Sequence, residues 1–193
     1  MLREPGTVHR IHRVRRDDTG ERRVDRNFSF PVYLDVRRFT SASFSALAAF
    51  QTRTMVLGEG EDAAEVPITV ATGSYFDFFS AQPALGRFFT AAEDSAPEGA
   101  PVIVLGYGFW QARFGGRDVI GERVRVDRML ATVIGLAPPD FVGMTDQGMP
   151  AAYVPITAYA FAMRGPRYTG GYSWSWLEMV ARRRETVSEA AAQ

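Results

Sequence analysis

The chain has 193 residues, 46% hydrophobic and 23% charged, and its 22 basic and 22 acidic residues balance to zero net charge. These values are typical of a globular domain that fills a core, and the neutral balance gives no indication of a nucleic-acid partner. All the basic residues are arginine, so a phosphate-binding-loop lysine and a Schiff-base lysine are both excluded. Cysteine is also absent, which excludes disulfides, thiolate nucleophiles and cysteine-ligated zinc.

The first 27 residues are polar and rich in arginine. Val8, Ile11 and Val14 indicate a strand within them, and residues 17–20 (Asp-Asp-Thr-Gly) predict a turn. Seven arginines here could contact nucleic acid or anionic lipid. Four acidic residues lie among them, so we interpret the cluster as solvated. The arginines are Arg10, Arg13, Arg15, Arg16, Arg22, Arg23 and Arg26, and the acids are Asp17, Asp18, Glu21 and Asp25.

A helical stretch is predicted after residue 27. Ser29 followed by Pro31 indicates a helix start, because serine caps helices and proline fits their first turn. Apolar residues recur at helical spacing on both sides of a break near residues 40–41. We therefore expect two helices, or one broken helix, up to about Phe50.

The next segment predicts two strands, over Thr52–Leu57 and Val66–Thr72, joined by an acidic turn. Ser74, with Asp77 three residues later, predicts a capping box that opens a short helix. Phe76 and Phe79 would share the buried face of that helix.

A loop over residues 91–101 precedes a strand that is apolar throughout, Val102–Leu105, which predicts burial on both faces. Tyr107, Trp110 and Phe114 then lie on one face of a helix that ends at Gly115-Gly116. We expect Trp110 to be buried with its two neighbours against that strand.

Polar and apolar residues alternate over residues 123–127, and residues 130–136 form the second strand of a predicted hairpin. We expect the loop between the two strands to be wider than two residues, because Arg128 disfavours positive φ. Residues 153–156 indicate a strand end, 164–172 a loop, and 174–182 the final strand. A helix is expected to begin within Ser188–Gln193.

Candidate catalytic and metal-binding groups are few. His9 and His12 point to opposite faces if they lie on a strand, so we interpret them as partly exposed side chains. Glu93 and Asp94 could form an acid/base pair, but adjacent side chains of a loop seldom converge on one reacting atom. No catalytic, cofactor-binding or metal-ligating residue is therefore assigned.

Three further patterns have structural interpretations. The acidic turn with Glu59, Glu61 and Asp62 lacks the regular spacing of a calcium loop. Gly106 and Gly108 follow a strand, but the third glycine of a dinucleotide fingerprint is missing. One aromatic set could line a lipid or drug cleft, although core packing is the favoured interpretation. Its members are Tyr75, Phe76, Phe78, Phe79, Phe109, Trp110 and Phe114.

Five short sequence motifs, which we call the five phrases, occur in order with short spacers: YFDFF (75–79), PALGRFF (83–89), PVIVLGYGFW (101–110), RFGG (113–116) and VIGLAPPDF (133–141). Together they resemble the periplasmic core domain of MacB-like ABC transporter permeases, the group with FtsX-type membrane helices. The resemblance extends from about Phe28 to the end of the chain. Within it, Arg87 is interpreted as an ion-pairing residue in a turn, and Trp110 as a core anchor.

The resemblance implies an α+β fold with two subdomains. A membrane-proximal strand–helix–strand subdomain would comprise residues 1–58 and 161–193, and a β-rich mixed insertion would comprise residues 59–160. Because both chain ends would be tethered to the membrane, we expect the first strand, near Val8–Arg15, and the final strand, near Trp174–Arg182, to be neighbours in one sheet. The insertion would then lie at the far end.

The function that the resemblance implies is non-catalytic coupling on the periplasmic face of the bacterial inner membrane. Partners would be the permease's own membrane helices, a separate or fused ATPase, and a second or paired permease, with a peptide, lipid or drug as substrate. A stand-alone periplasmic ligand-binding module, with an aromatic-lined cleft, is the first alternative. A hydrolase with convergent carboxylates is the second.

No apolar run in the sequence reaches the roughly 18–20 residues of a membrane helix. The first residues also lack the pattern of a secretory signal. The flanking helices are therefore expected outside this chain, which we interpret as an excised segment or an incomplete reading frame.

Overall fold

A computed structural model describes residues 1–16 and 18–188. The predicted α+β class is confirmed, because α-helices pack on a large mixed sheet. The strands are β1 (Val8–Ile11), β2 (Arg13–Arg16), β3 (Arg22–Asp25), β4 (Phe44–Leu57), β5 (Ala64–Ala71), β6 (Leu85–Gly86), β7 (Val102–Leu105), β8 (Arg123–Val126), β9 (Met129–Leu136), β10 (Ala152–Pro155) and β11 (Glu178–Arg183). The α-helices are α1 (Phe30–Phe39), α2 (Tyr107–Phe114) and α3 (Ile156–Arg164).

Nine strands form one continuous sheet in the order β1-β11-β4-β5-β10-β7-β9-β6, and β8 pairs with both β4 and β9. Strands β2 and β3 form a separate two-stranded hairpin. The sheet runs through both parts of the predicted division, residues 1–58 with 161–193 and residues 59–160. That division stays a prediction.

The two ends of the chain meet at one edge of the sheet. Strand β1 is antiparallel to β11, with Val8 opposite Arg182 and Arg10 opposite Val180. The prediction that the first and final strands are neighbours is confirmed. The final strand begins at Glu178, four residues later than expected from the sequence.

The predicted second helix, up to about Phe50, is wrong, because these residues form the first half of the 14-residue strand β4. Leu47 and Ala49 pack into the core on one face of the sheet, while Ala48 and Phe50 pack into the core on the other. A strand that is buried on both faces shows no polar alternation, so its sequence is easily mistaken for a buried helix. The first helix is confirmed as α1.

Two local predictions around turns are also wrong. Ser74 forms no capping box, because its hydroxyl donates to the carbonyl of Leu47 at 2.8 Å, and the following element is a 3-10 helix over Tyr75–Phe78. The loop between β8 and β9 has only two residues, since Val126 pairs with Met129. Asp127 takes the positive φ of 49°, and its carboxylate accepts a bond from the Val56 amide at 3.0 Å.

The C-terminal third contains an element that the sequence did not predict. Helix α3 follows β10 directly, and the expected loop over residues 164–172 contains a 3-10 helix over Gly165–Thr169. A helix was also predicted within Ser188–Gln193, but residues 189–193 lie outside the part of the chain that the structure describes.

Helix α2 is confirmed, with Gly115 in the left-handed conformation (φ 60°) at its end, but its burial was overestimated. Trp110, Tyr107 and Phe114 are half-buried, and no residue of α2 is fully buried. The Trp110 indole N–H donates to the carbonyl of Arg117 at 2.8 Å. Trp110 is thus a peripheral packing residue instead of a core anchor.

We expect Trp110→Ala to lower the free energy of unfolding by about 1–2 kcal/mol, less than full burial would imply, since only part of the ring is removed from water. Urea unfolding measures this change. Trp110→Phe serves as the control, because it keeps an aromatic ring while removing the N–H donor. A loss of about 3 kcal/mol or more for the alanine variant would show that the indole is a true core residue.

Candidate functional site

The pairing of the terminal strands is reinforced by Arg182 on β11. Its Nη1 donates to the carbonyl of Arg3 at 2.8 Å, to the Glu4 carboxylate at 3.1 Å and to the Thr7 hydroxyl at 3.1 Å. The guanidinium also lies 5.5 Å from the ring centroid of Phe78. One largely buried side chain therefore holds the segment before β1, the last strand and the middle of the chain together.

A cleft of about 360 Å³ lies between α1, the start of β4 and the loops that follow β5 and precede β7. Tyr33 and Arg37 of α1 line it, as do Asp77, Asp94 and Arg184. The walls come from both sides of the predicted subdomain boundary. The cleft is therefore where the two predicted subdomains would meet.

Asp94 is the best-connected group of this cleft. Its Oδ1 accepts bonds from the Thr157 amide at 3.0 Å and the Thr157 hydroxyl at 2.9 Å, and its Oδ2 accepts one from the Gly73 amide at 3.2 Å. Thr157 is the second residue of α3, whose first amides lack a local capping side chain. Asp94 thus caps α3 from a distant loop.

The bonds continue from this loop into the central sheet. The Thr72 hydroxyl accepts a bond from the Ala49 amide at 3.1 Å and lies 3.2 Å from the Ser74 hydroxyl, which reaches Leu47. We call the five residues Thr72, Gly73, Ser74, Asp94 and Thr157 the Asp94 network. It joins β4 to α3 by way of two loops.

Burial raises the pKa of Asp94 to about 6, and the bonds from Thr157 and Gly73 oppose that rise. Burial also raises the pKa of Tyr33 on the same cleft, while the Arg37 charge acts in the opposite direction. Asp94 can therefore hold or release a proton near pH 6, whereas Tyr33 stays protonated at neutral pH.

Glu93 and Asp94, the predicted candidates for an acid/base pair, do not converge. The Glu93 carboxylate forms two bonds of 2.8 Å with Arg87 and accepts further bonds from Thr90. Bonding to Arg87 lowers the pKa of Glu93 to about 2. The prediction that Arg87 forms an ion pair is confirmed, and the opposite pKa shifts reflect two separate structural roles. The arrangement does not support the hydrolase alternative.

The aromatic set is divided between core and surface. Tyr75, Phe76, Phe78 and Phe79 are buried, whereas Phe109, Trp110 and Phe114 are only half-buried. Phe76 is the centre of a cluster in which its ring stacks on Phe88 at 4.0 Å between centroids. A second cleft, of about 420 Å³, is lined by Phe76, Phe79, Phe88 and Phe89 beside Gly73 and Asp77.

The two histidines and the acidic turn are the remaining candidates from the sequence. His9 lies on β1 and His12 is exposed beyond it. Glu59 bonds to Arg125, and Asp62 bonds to Arg113 at 2.7 Å, so this acidic turn pairs with arginine. No group of three or more histidine, aspartate or glutamate side chains that could hold a metal occurs within residues 1–16 and 18–188.

Gly106 is required by close packing. A Cβ at this position would lie 2.3 Å from the Pro150 carbonyl oxygen. The glycine therefore lets β7 and the segment before β10 approach each other, a role that has no connection with a dinucleotide.

The arginine-rich segment forms the β2–β3 hairpin. Arg13 and Arg15 both pair with Asp25, at 3.4 and 2.8 Å. Arg10 instead pairs with Glu178 at 2.6 Å and reaches the Met144 carbonyl. The acidic residues thus neutralise part of the cluster, and Arg10, Arg13 and Arg15 each have a structural partner.

The sequence reasoning missed Arg182 and Thr157. The role of Arg182 depends on the pairing of β1 with β11, and that of Thr157 on a carboxylate 63 positions away. Neither relation leaves a local pattern. The only signal for Asp94 was its acidic neighbour in a loop, which suggested the wrong chemistry.

The model of the MacB-like periplasmic core domain family matches residues 4–193. The chain belongs to this family. The resemblance stated from the five phrases is thereby confirmed, and membership implies an extracytoplasmic domain of an ABC transporter permease, which is not a known class of enzyme. In the described part of the chain, no helix has the length and apolar character needed to cross a membrane.

A curated relative, the macrolide export ATP-binding/permease protein MacB of Chlorobaculum tepidum, is 32% identical over 98 residues. The aligned part is 50% of this chain but only 15% of that protein. The chain therefore corresponds to a small part of the curated relative that it matches.

Two solved structures share the fold. The periplasmic region of MacB from Actinobacillus actinomycetemcomitans has a TM-score of 0.64 and 17% identity, with coverage of 86% of this chain and 70% of that chain. The extracellular domain of the noncanonic ABC-type transporter YknZ from Gram-positive bacteria has a TM-score of 0.65 and 14% identity, with coverage of 93% and 84%.

Proposed function

We propose that this domain couples movement of flanking membrane helices in an ABC transporter permease to a substrate or partner outside the membrane. An ATPase, separate or fused, would supply the energy, and the domain would sit on the periplasmic face of the inner membrane. A peptide, a lipid or a drug would be the substrate, and a second or paired permease would complete the assembly.

The observation that carries the proposal is the antiparallel pairing of β1 with β11. Two segments leading to membrane helices would leave the domain at one sheet edge, where Arg182 ties them together. The continuous sheet extends from that edge to β6 at the other. Packed elements move as rigid bodies, so a small shift at the tethered edge would be enlarged at the far edge.

The test uses the intact permease, assembled with its ATPase in lipid vesicles. Any cysteines outside this cysteine-free chain are first replaced by serine. A single cysteine at the exposed Ala84, beside β6, then carries a dye, paired with dye-labelled lipid headgroups. We expect energy transfer between the two dyes to change when ATP is added. Flexible Gly-Ser segments inserted before residue 1 and after residue 188 should abolish most of that change, because they slacken both tethers.

The matched control places an insertion of the same length between Gly115 and Gly116, at the end of α2. It leaves the tethers unaltered and should preserve the ATP-dependent change. The coupling role is contradicted if energy transfer does not change when ATP is added. It is also contradicted if the full ATP-dependent change persists after both Gly-Ser insertions.

Ligand binding remains a second candidate function, supported by the aromatic cleft beside the Asp94 network. Its volume, about 420 Å³, is in the range of small-molecule sites. The stacking of Phe76 on Phe88 supplies a flat apolar wall for such a ligand.

A further inference from the structure

A separate groove of about 400 Å³ lies between helix α2 and strand β8, and we call it the α2 groove. It shares no lining residue with the cleft at the Asp94 network or with the aromatic cleft. Its volume is in the range of sites that hold one small molecule. Neither the coupling role nor the aromatic cleft accounts for it.

The α2 groove has an apolar floor that the core leaves partly uncovered. Phe109 and Phe114 of α2 line one side, and Val124 and Leu130 of the β8–β9 hairpin line the other. All four side chains are half-buried. A ligand that covers the exposed part of these side chains removes apolar surface from water, which favours binding.

The rim of the groove carries four arginines, three of which have carboxylate partners. Arg113 pairs with Asp62 at 2.7 Å, Arg117 pairs with Glu122, and Arg125 pairs with Glu59. Arg123 is the fourth. It is exposed, and its side chain has no hydrogen-bond or ion-pair partner within residues 1–16 and 18–188.

We propose that the α2 groove binds a single-chain amphipathic carboxylate. The alkyl chain would lie on the four apolar side chains, and the carboxylate would pair with Arg123. Guanidinium groups bind carboxylates in a two-bond geometry, which favours an anionic head over a neutral one. A cationic head would meet a rim with one more positive than negative charge, and a neutral head would leave Arg123 without a partner.

Three ligands with the same alkyl chain test the head group: dodecanoate, dodecanol and dodecyltrimethylammonium. The two ionic ligands are used below their critical micelle concentrations, and dodecanol below its solubility limit. Calorimetry on the 193-residue chain measures their affinities. Dodecanoate should bind most tightly. Arg123→Gln should weaken dodecanoate by about tenfold, the scale of one charge-assisted contact, and leave dodecanol unchanged.

Arg128→Gln is the matched control, since Arg128 is exposed on the same hairpin but does not line the groove. It should leave all three affinities unchanged. Leu130→Thr tests the floor with a residue that suits a strand, and it should weaken dodecanoate and dodecanol alike. Circular dichroism establishes that each variant is folded.

The proposal is overturned if dodecanoate does not bind, or if dodecanol or the cation binds as tightly as dodecanoate. It is also overturned if Arg123→Gln and Arg128→Gln reduce dodecanoate binding equally. Selective loss of dodecanoate in Arg123→Gln, with loss of both chains in Leu130→Thr, supports it.

Discussion

Phe76→Ala should lower the free energy of unfolding by about 3–5 kcal/mol, the range for a large aromatic side chain removed from a core. Phe76 is 5% exposed. Its ring centroid lies 4.0 Å from that of Phe88, 5.1 Å from Phe89 and 5.6 Å from Tyr153. Alanine would leave a cavity among these rings that they cannot close without leaving their packed positions. Unfolding in urea, followed by circular dichroism, measures the change.

The matched control is Phe39→Ala at the end of α1. The same substitution there removes a ring that is 75% exposed, so stability should change by no more than about 0.5 kcal/mol. Equal losses in the two variants would contradict the assignment of Phe76 to a packed core. A loss below about 1 kcal/mol at Phe76 would instead identify the aromatic cluster as an adaptable cleft wall.

Strands with clear sequence patterns were predicted close to their observed positions. The segments 66–72 and 123–127 alternate or are bounded by turn residues, and they correspond to strands β5 and β8. Strand β4 was only half predicted, because Leu47 to Phe50 is apolar on both faces. The pairing of β1 with β11 came from the tethering argument, since no local pattern encodes a contact between the two ends of the chain.

Helix α3 was missed for a specific physical reason. It begins after Pro155, and its capping group, Asp94, belongs to a loop 63 positions earlier than Thr157. Cap signals in sequence are local, so a cap from a distant loop is invisible to them. Conversely, Ser74 and Asp77 have the spacing of a capping box, but the Ser74 hydroxyl bonds to β4 instead.

The candidate site was predictable only in part. Sequence reasoning selected Glu93 and Asp94 as a pair, but their opposite environments come from Arg87 on one side and from α3 on the other. Burial of Trp110 was overestimated because an aromatic helical face is typical of packing on a sheet. Of that face, Phe114 lines the α2 groove, whereas Tyr107 and Trp110 do not. A sequence does not specify how closely a helix approaches its sheet.

The protonation of Asp94 should make stability depend on pH. The folded pKa is about 6, above its ordinary value of 3.8, because burial disfavours the charged carboxylate. Well below pH 3.8 the group is protonated in both the folded and unfolded states. As the pH rises from about 4 to about 6 the unfolded chain releases this proton first, so the folded state loses stability.

Asp94→Asn isolates this effect, because asparagine does not titrate and its carbonyl oxygen can still accept the Thr157 bonds. The variant loses the hydrogen bond from the Gly73 amide, and this lowers its unfolding free energy by the same amount at every pH. We therefore expect the difference in unfolding free energy between the two proteins to shift by about 2 kcal/mol toward the variant from pH 4 to pH 7, at 1.36 kcal/mol per pKa unit, because the unfolded group is already partly ionised at pH 4. Urea titrations at several pH values measure it.

Glu93→Gln is the control at the neighbouring residue, and its effect on stability should depend on pH in the opposite direction. Bonding to Arg87 lowers the pKa of Glu93, so the wild-type carboxylate stabilises the fold above its ordinary pKa and loses that contribution as the pH falls. As the pH rises, Glu93→Gln should lose stability relative to the wild type, mostly between about pH 2 and pH 4.5, whereas Asp94→Asn should gain it, mostly between about pH 4 and pH 6. A constant difference for Asp94→Asn would show that burial does not control the charge of Asp94. A shift toward the wild type would show that the bonds from Thr157 and Gly73, aided by the positive end of α3, outweigh burial and keep the carboxylate ionised.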